Sequence, residues 1–313
     1  MVGYISTVFG WFDQSAVRGL TRYVFDFAVP MLLLRTLATT NLPDVIPWDY
    51  LASYYLGTLI VLLTGIWSTR LFWKRTFSQQ VINAFSGSFS NTVLLGIPII
   101  LLAFGEEAVV PLFIIIGTHG LIMVPLFTIM LEVGKSGKGR LITVIARTLY
   151  GLISNPLIIG LLSGLACNYF EISLWKPVDD MAKFMGNSVT PCALFALGAT
   201  LAGFSKNIPW QEVPLIVIIK TIVHPLVVWA MATLVFGIKE AIWIQVLVML
   251  AAQPTGVNPF LFASRYNVGQ LVASSAVFYV NYYFNLYSQS AAGLFPLIPS
   301  FKADNIGLKK LQN

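Results

Sequence analysis

Ala251-Ala252-Gln253-Pro254-Thr255-Gly256-Val257-Asn258-Pro259-Phe260 is the stretch that decides how this chain folds. It lies in an apolar run over 241–262, long enough to cross a bilayer at ~1.5 Å per residue. Its second half nevertheless carries two prolines, a glycine, an asparagine, a glutamine and a threonine. Pro254 and Pro259 each lack an N–H and clash with the preceding turn. The helix is therefore expected to unwind here and free backbone groups at membrane depth. Lipid cannot satisfy such groups, so they must meet protein, water or a ligand.

A second stretch has the same character. Ser86-Gly87-Ser88-Phe89-Ser90-Asn91-Thr92-Val93-Leu94-Leu95-Gly96-Ile97-Pro98 interrupts the apolar run over 81–104. Two broken hydrophobic segments in corresponding halves of a membrane chain point to a transporter binding site. The alternative is a pair of kinked helices packed on neighbours, which a lone proline would produce.

Working outward, the composition is that of a polytopic membrane protein. Of 313 residues 57% are hydrophobic and 10% charged. Soluble chains carry about 25% charge. The net charge of +6 follows from basic cytoplasmic loops and calls for no nucleic-acid partner. Cys167 and Cys192 match no metal or disulfide spacing. No cleaved signal peptide is read at Met1, and no Walker loop or nucleotide, metal or haem motif is found, so no cofactor is expected.

The apolar segment at 1–11 is too short to span and reads as the end of a first helix whose beginning is missing. Asp13, Arg18 and Arg22 read as a polar turn. Further spans are expected over 20–38, 50–72, 81–104, 109–131, 155–170, 178–202, 213–236, 241–262 and 268–298. The basic, glycine-rich segment 132–140 reads as a linker between halves, and 141–149 as an interfacial piece. Arg70, Lys74, Arg75, Lys135, Lys138, Arg140, Lys206 and Arg265 mark the cytoplasmic side, and Asp44, Asp49, Glu106, Glu107, Asp179 and Asp180 the outer one. Trp48, Trp73, Trp175 and Trp210 fall at span ends as interfacial anchors.

The two halves look related. Val29-Pro30-Met31-Leu32-Leu33-Leu34 is similar to Thr190-Pro191-Cys192-Ala193-Leu194-Phe195, and each broken segment is fourth in its half. Five spans per half is odd, so the repeats insert with opposite orientation. The expected fold is an all-α polytopic membrane protein, a single membrane domain over 1–313. It is a ten-helix (5+5) inverted repeat with two crossed broken helices, its halves being 1–131 and 141–298.

At Asn91-Thr92-Val93-Leu94-Leu95-Gly96-Ile97-Pro98, at Gln253-Pro254-Thr255-Gly256-Val257-Asn258 and at Ala263-Ser264-Arg265-Tyr266 the chain resembles the auxin efflux carrier family, in its bacterial branch. The resemblance covers about 12–278. It implies scaffold helices over about 1–38 and 141–202 and transport helices over about 50–131 and 213–298. It also implies export of organic anions such as malonate, malate or auxin-like carboxylates, an elevator-type movement, a plasma-membrane location and a homodimer through the scaffold helices. The tail from Phe278 to Asn285 departs from the family by being aromatic and polar.

Asn91 and Asn258 are the first candidates for substrate contact, since each amide can donate to a carboxylate. Thr92 and Thr255 are candidates beside them. Pro98, Pro254 and Gly256 are expected to set geometry. Asparagine at either break also fits a plain helix-capping role. Lys220 lies mid-span, one turn before His224. An ionisable group there costs ~2.5–3.5 kcal/mol, so Lys220 is expected to attract the anion or to balance charge. His119 and His224 lie on different spans without nearby acids, so no catalytic constellation is read and no enzyme is expected. A sodium-coupled carrier of the bile-acid type would share the crossed helices but need oxygen-rich ion sites, and the spans hold few acids. A channel or receptor would not require inverted halves.

Overall fold

The computed structural model describes residues 2–40, 47–134, 154–203 and 209–289, with side chains to Phe284. The segments 135–153 and 290–313, with the expected linker, the interfacial piece and the end of the last span, lie outside the described residues. Among the described residues every regular element is helical. In order they are α1 (Val2–Val8), α2 (Gln14–Tyr23), α3 (Val29–Thr39), α4 (Trp48–Trp73), α5 (Phe77–Ser88), α6 (Ile97–Phe104), α7 (Val109–Gly134), α8 (Pro156–Tyr169), α9 (Lys176–Leu201), α10 (Val213–Ile218), α11 (His224–Ala230), α12 (Ala241–Ala252), α13 (Asn258–Tyr266) and α14 (Gln270–Gln289).

Among the described residues four helical stretches are long and apolar enough to cross a bilayer: Trp48–Trp73, Phe77–Gly134 taken through its break, Lys176–Leu201 and Val213–Val235. Helix α4 shows why lipid, not water, surrounds it. Leu56, Leu59, Ile60, Leu63, Trp67 and Leu71 are exposed, while Ser53, Tyr54, Gly57, Thr58, Gly65, Ser68 and Thr69 face inward. Small and hydroxylated residues inside with leucine outside is the pattern of a membrane helix. Ser53 and Thr58 hydroxyls return their protons to the carbonyls one turn back, of Asp49 and Tyr54, so that neither is left unpaired.

Wide π-helical turns interrupt four places: Val24–Ala28, Thr92–Gly96, Ile219–Val223 and Met231–Val235. Three of them end two residues before a proline, namely Pro30, Pro98 and Pro225. The reason is local. A proline ring clashes with the carbonyl one turn back. Letting the preceding residue donate five residues back, as Val29 does to Val24 and His224 to Ile219, opens the turn and relieves the clash.

The chain forms two compact units. The first comprises Met1–Pro47, Val93–Pro98 and Leu112–Phe204. Its central contact is α3 on α8, made close by two glycines four apart. A methyl at Gly160 would meet the carbonyl of Pro30 at 2.5 Å, and one at Gly164 would meet that of Leu34 at 2.8 Å. Asn168 then donates to the carbonyls of Leu37 and Thr40 at 2.8 Å, closing the end of α3. Helix α9 packs on α1 and α3. Asp13, Arg18 and Arg22 do not form a turn. Asp13 caps α2 by accepting from the Ala16 N–H at 2.7 Å, and this bond holds its carboxyl below the usual range. Arg18 and Arg22 lie inside the helix, where Arg22 pairs with Asp26 at 3.1 Å.

The second unit comprises Trp48–Thr92, Ile99–Pro111 and Ser205–Asn313. Gly65 of α4 lies against Ala84 of α5, and Gly57 against Val228 of α11. Helix α12 packs on α11, and α13 on α14 and α5. Glu212, 3% exposed, takes two bonds from Arg75 and one from Asn83, and so ties the start of α5 to the residue capping α10.

Candidate functional site

The second unit contains both ends of the argument begun at Pro254. Helix α5 starts with a capping box between Thr76 and Gln79 and ends at Ser88. Phe89 is extended, and the chain stays non-helical to Asn91. Helix α12 ends at Ala252 because Pro254 forces Gln253 out of the helical region, to φ −54° and ψ 138°. Helix α13 begins at Asn258, with Pro259 early in its first turn, where a missing N–H leaves nothing unpaired. The two breaks lie against each other. The Asn91 N–H donates to the Pro254 carbonyl at 3.0 Å. The Thr255 hydroxyl donates to the Ser86 carbonyl at 2.5 Å. The Thr255 carbonyl accepts from Asn281 at 3.1 Å, and the same amide reaches the Val277 carbonyl at 2.7 Å.

This accounting separates the candidates. Asn91 is buried at 6% exposure, and Thr92, also buried, opens the π-helical turn. Asn258 is half-buried at the start of α13. Thr255 is fully buried with its hydroxyl proton committed to Ser86. Pro254 and Pro98 sit where helices stop and restart, Pro98 as the second residue of α6 in the first unit. Gly256 has an ordinary φ, and a methyl there would lie 3.5 Å from Phe89, so the backbone does not demand glycine and the prolines set the geometry.

Lys220 is fully buried and donates to Ser90 Oγ at 2.6 Å, to the Ala251 carbonyl at 2.9 Å and to His224 Nδ1 at 2.9 Å. An ammonium has three N–H bonds and no acceptor. All three are therefore directed at protein. His224 Nε2 lies 3.0 Å from Thr58 Oγ, whose proton goes to the Tyr54 carbonyl, so Nε2 is the donor of that pair.

Three residues stand out that sequence reasoning did not single out. Gln253 is fully buried, and among the described residues neither atom of its amide has a hydrogen-bond partner. Its signal was the position directly before Pro254, which must be extended. Asn281 reads as an interruption of the last span and is instead the brace of the second break. Ser90 holds the lysine. A wide open cavity of about 980 Å³ in the first unit is lined by Arg35, Asn168, Lys176 and Asp179. It lacks any helix break, and its Arg35 is already paired with Asp179 at 2.7 Å.

The facing breaks thus gather buried amides, a buried lysine and helix ends. A family model described as "Membrane transport protein" matches residues 1–288. A "Putative malonate transporter" of Rhizobium meliloti is 27% identical over 278 residues, covering 88% of this chain and 86% of that protein. An "Auxin efflux carrier component 8" of Arabidopsis thaliana is 22% identical over 325 residues, 86% of each chain. A "Lysosomal cholesterol signaling protein" of Mus musculus is 23% identical over 243 residues, 72% of this chain and 28% of that longer protein. The chain therefore belongs to the membrane transport protein family that includes the auxin efflux carriers, and is a transporter rather than an enzyme.

Proposed function

We propose that the protein is a secondary carrier exporting small organic anions across the plasma membrane, with malonate-, malate- or auxin-like carboxylates as its substrate class. The observation that carries this reading is Gln253: a fully buried amide without a partner among the described residues, placed where two helix breaks face each other. Burying such a group unbonded costs about 1–3 kcal/mol, which a bound carboxylate would offset by accepting from its N–H. Asn91, Thr92 and Asn258 complete the proposed contact set. Helix α13 begins at Asn258, and a helix N-terminus favours an anion. Lys220 supplies positive charge from behind.

The reading includes ten spans in two inverted halves. Scaffold helices lie over about 1–38 and 141–202, transport helices over about 50–131 and 213–298, with an elevator-type movement and a dimer through the scaffold. The compactness of 48–92, 99–111 and 205–313 as one unit supports grouping those parts of the transport helices, whereas 112–131 belongs to the first unit. A negative interior would drive export, worth ~2.3 kcal/mol per 100 mV for each charge.

The test is flux of malonate, malate and indole-3-acetate in proteoliposomes under an imposed potential. Saturable wild-type flux, lost at least tenfold in Asn258→Ala and Asn91→Ala with thermal unfolding unchanged, is expected. Unsaturable flux, or mutants equal to wild type, would overturn the assignment.

A further inference from the structure

Lys220 is the buried cation that the proposed contact set leaves unexplained. Its three partners, a hydroxyl, a carbonyl and an imidazole nitrogen, come from three different elements and converge on one point. Two are uncharged oxygens, and among the described residues no carboxylate pairs with Lys220. Two of them owe their availability to the breaks. The Ala251 carbonyl lies in the last turn of α12, and the helix that would have covered it stops at Ala252. Ser90 lies just beyond the end of α5. The ammonium therefore sits at the carbonyl ends of two helices, where each dipole favours positive charge. The other ring nitrogen of His224 is taken up by Thr58 at 3.0 Å, which fixes the orientation of the imidazole. Oxygen ligands freed by broken helices are the kind of set that binds a small cation at membrane depth.

We propose that the Lys220 ammonium is a tethered cation filling a site for a small monovalent cation formed by Ser90 Oγ, the Ala251 carbonyl and His224 Nδ1. A fixed charge there balances a bound anion through space, with no N–H left over to touch it. In consequence no sodium ion is taken up at this point of the cycle, a statement that rests on the carrier reading above. The site itself does not rest on that reading.

Thermal unfolding of the purified full chain tests the site without any transport. Wild type, Lys220→Ala and Lys220→Met are compared in choline, sodium and ethylammonium chloride. Wild type is expected to unfold at one temperature in all three. Lys220→Ala opens the space of the side chain; it should unfold lower in choline and recover by roughly 2–4 °C in sodium or ethylammonium. Lys220→Met, which fills the space with an apolar chain, should not respond. A Lys220→Ala protein indifferent to both small cations overturns the proposal, as does a wild type stabilised by sodium over choline. Should Lys220→Ala fail to fold, the wild-type comparison decides, together with malonate flux, expected equal in sodium and choline; a sodium requirement overturns it. A wild type that moves no tested anion defeats the carrier reading alone, and the unfolding result still decides the cation.

Discussion

The backbone N–H of Asn91 and the carbonyl of Pro254 lie 3.0 Å apart, so each helix break satisfies a polar group that the other exposes. The Thr255 hydroxyl on the Ser86 carbonyl repeats the arrangement. Two breaks that would each be unaffordable in lipid become stable together. What remains unbonded between them, the Gln253 amide, is then informative.

Gln253→Leu should separate stability from function. Replacing an unbonded buried amide by an apolar group of similar size removes a penalty of about 1–3 kcal/mol, so the variant should unfold at the same temperature or a few degrees higher. Anion flux should fall at least tenfold. A variant that both unfolds earlier and transports normally would show the amide to be structural.

Asn281→Leu should do the opposite. The substitution strands the Thr255 carbonyl inside the protein, which costs about 1–3 kcal/mol and lowers the unfolding temperature by several degrees. Differential scanning of the purified variant reads this directly. Asn281→Asp, which keeps the size but not the donor, should not rescue it.

Glu212→Ala leaves the Asn83 amide without its acceptor and Arg75 without its partner. The Arg75 side chain is 40% exposed, so water screens much of that loss. The buried amide dominates, and a destabilisation of about 1–3 kcal/mol is expected, with Glu212→Gln intermediate. Denaturant unfolding of both variants ranks them; equal loss would show that charge, not the amide, matters.

Gly160→Val should disrupt the α3 and α8 contact, because even its Cβ would lie 2.5 Å from the Pro30 carbonyl. Overpacking of this kind costs typically 1–3 kcal/mol. Gly120→Ala is the control, since nothing lies within 4 Å of a methyl there. Comparing their unfolding temperatures tests whether close approach holds the first unit together.

The positions of the breaks were legible in the sequence because proline acts locally. Pro254 dictates the conformation of Gln253 whatever surrounds it, and α12 stops at Ala252 accordingly. The helical character of the spans was legible in the hydropathy, and the 3.6-residue period put Lys220 and His224 on one face without announcing their contact. Asp13 was misjudged because a capping carboxylate and a turn carboxylate look alike until the helix beyond them is known.

By itself, then, the sequence determined a membrane-embedded helical transporter with two interrupted helices, since hydropathy, proline and family likeness are properties of residues in order. Only the tertiary structure decided which polar groups are used up. Asn281 braces a carbonyl 26 positions away, Ser90 holds a lysine 130 positions away, and Thr255 gives its proton to Ser86 across 169 positions. Hydrogen bonds are satisfied in space, and no spacing along the chain announces which amide will be left without one.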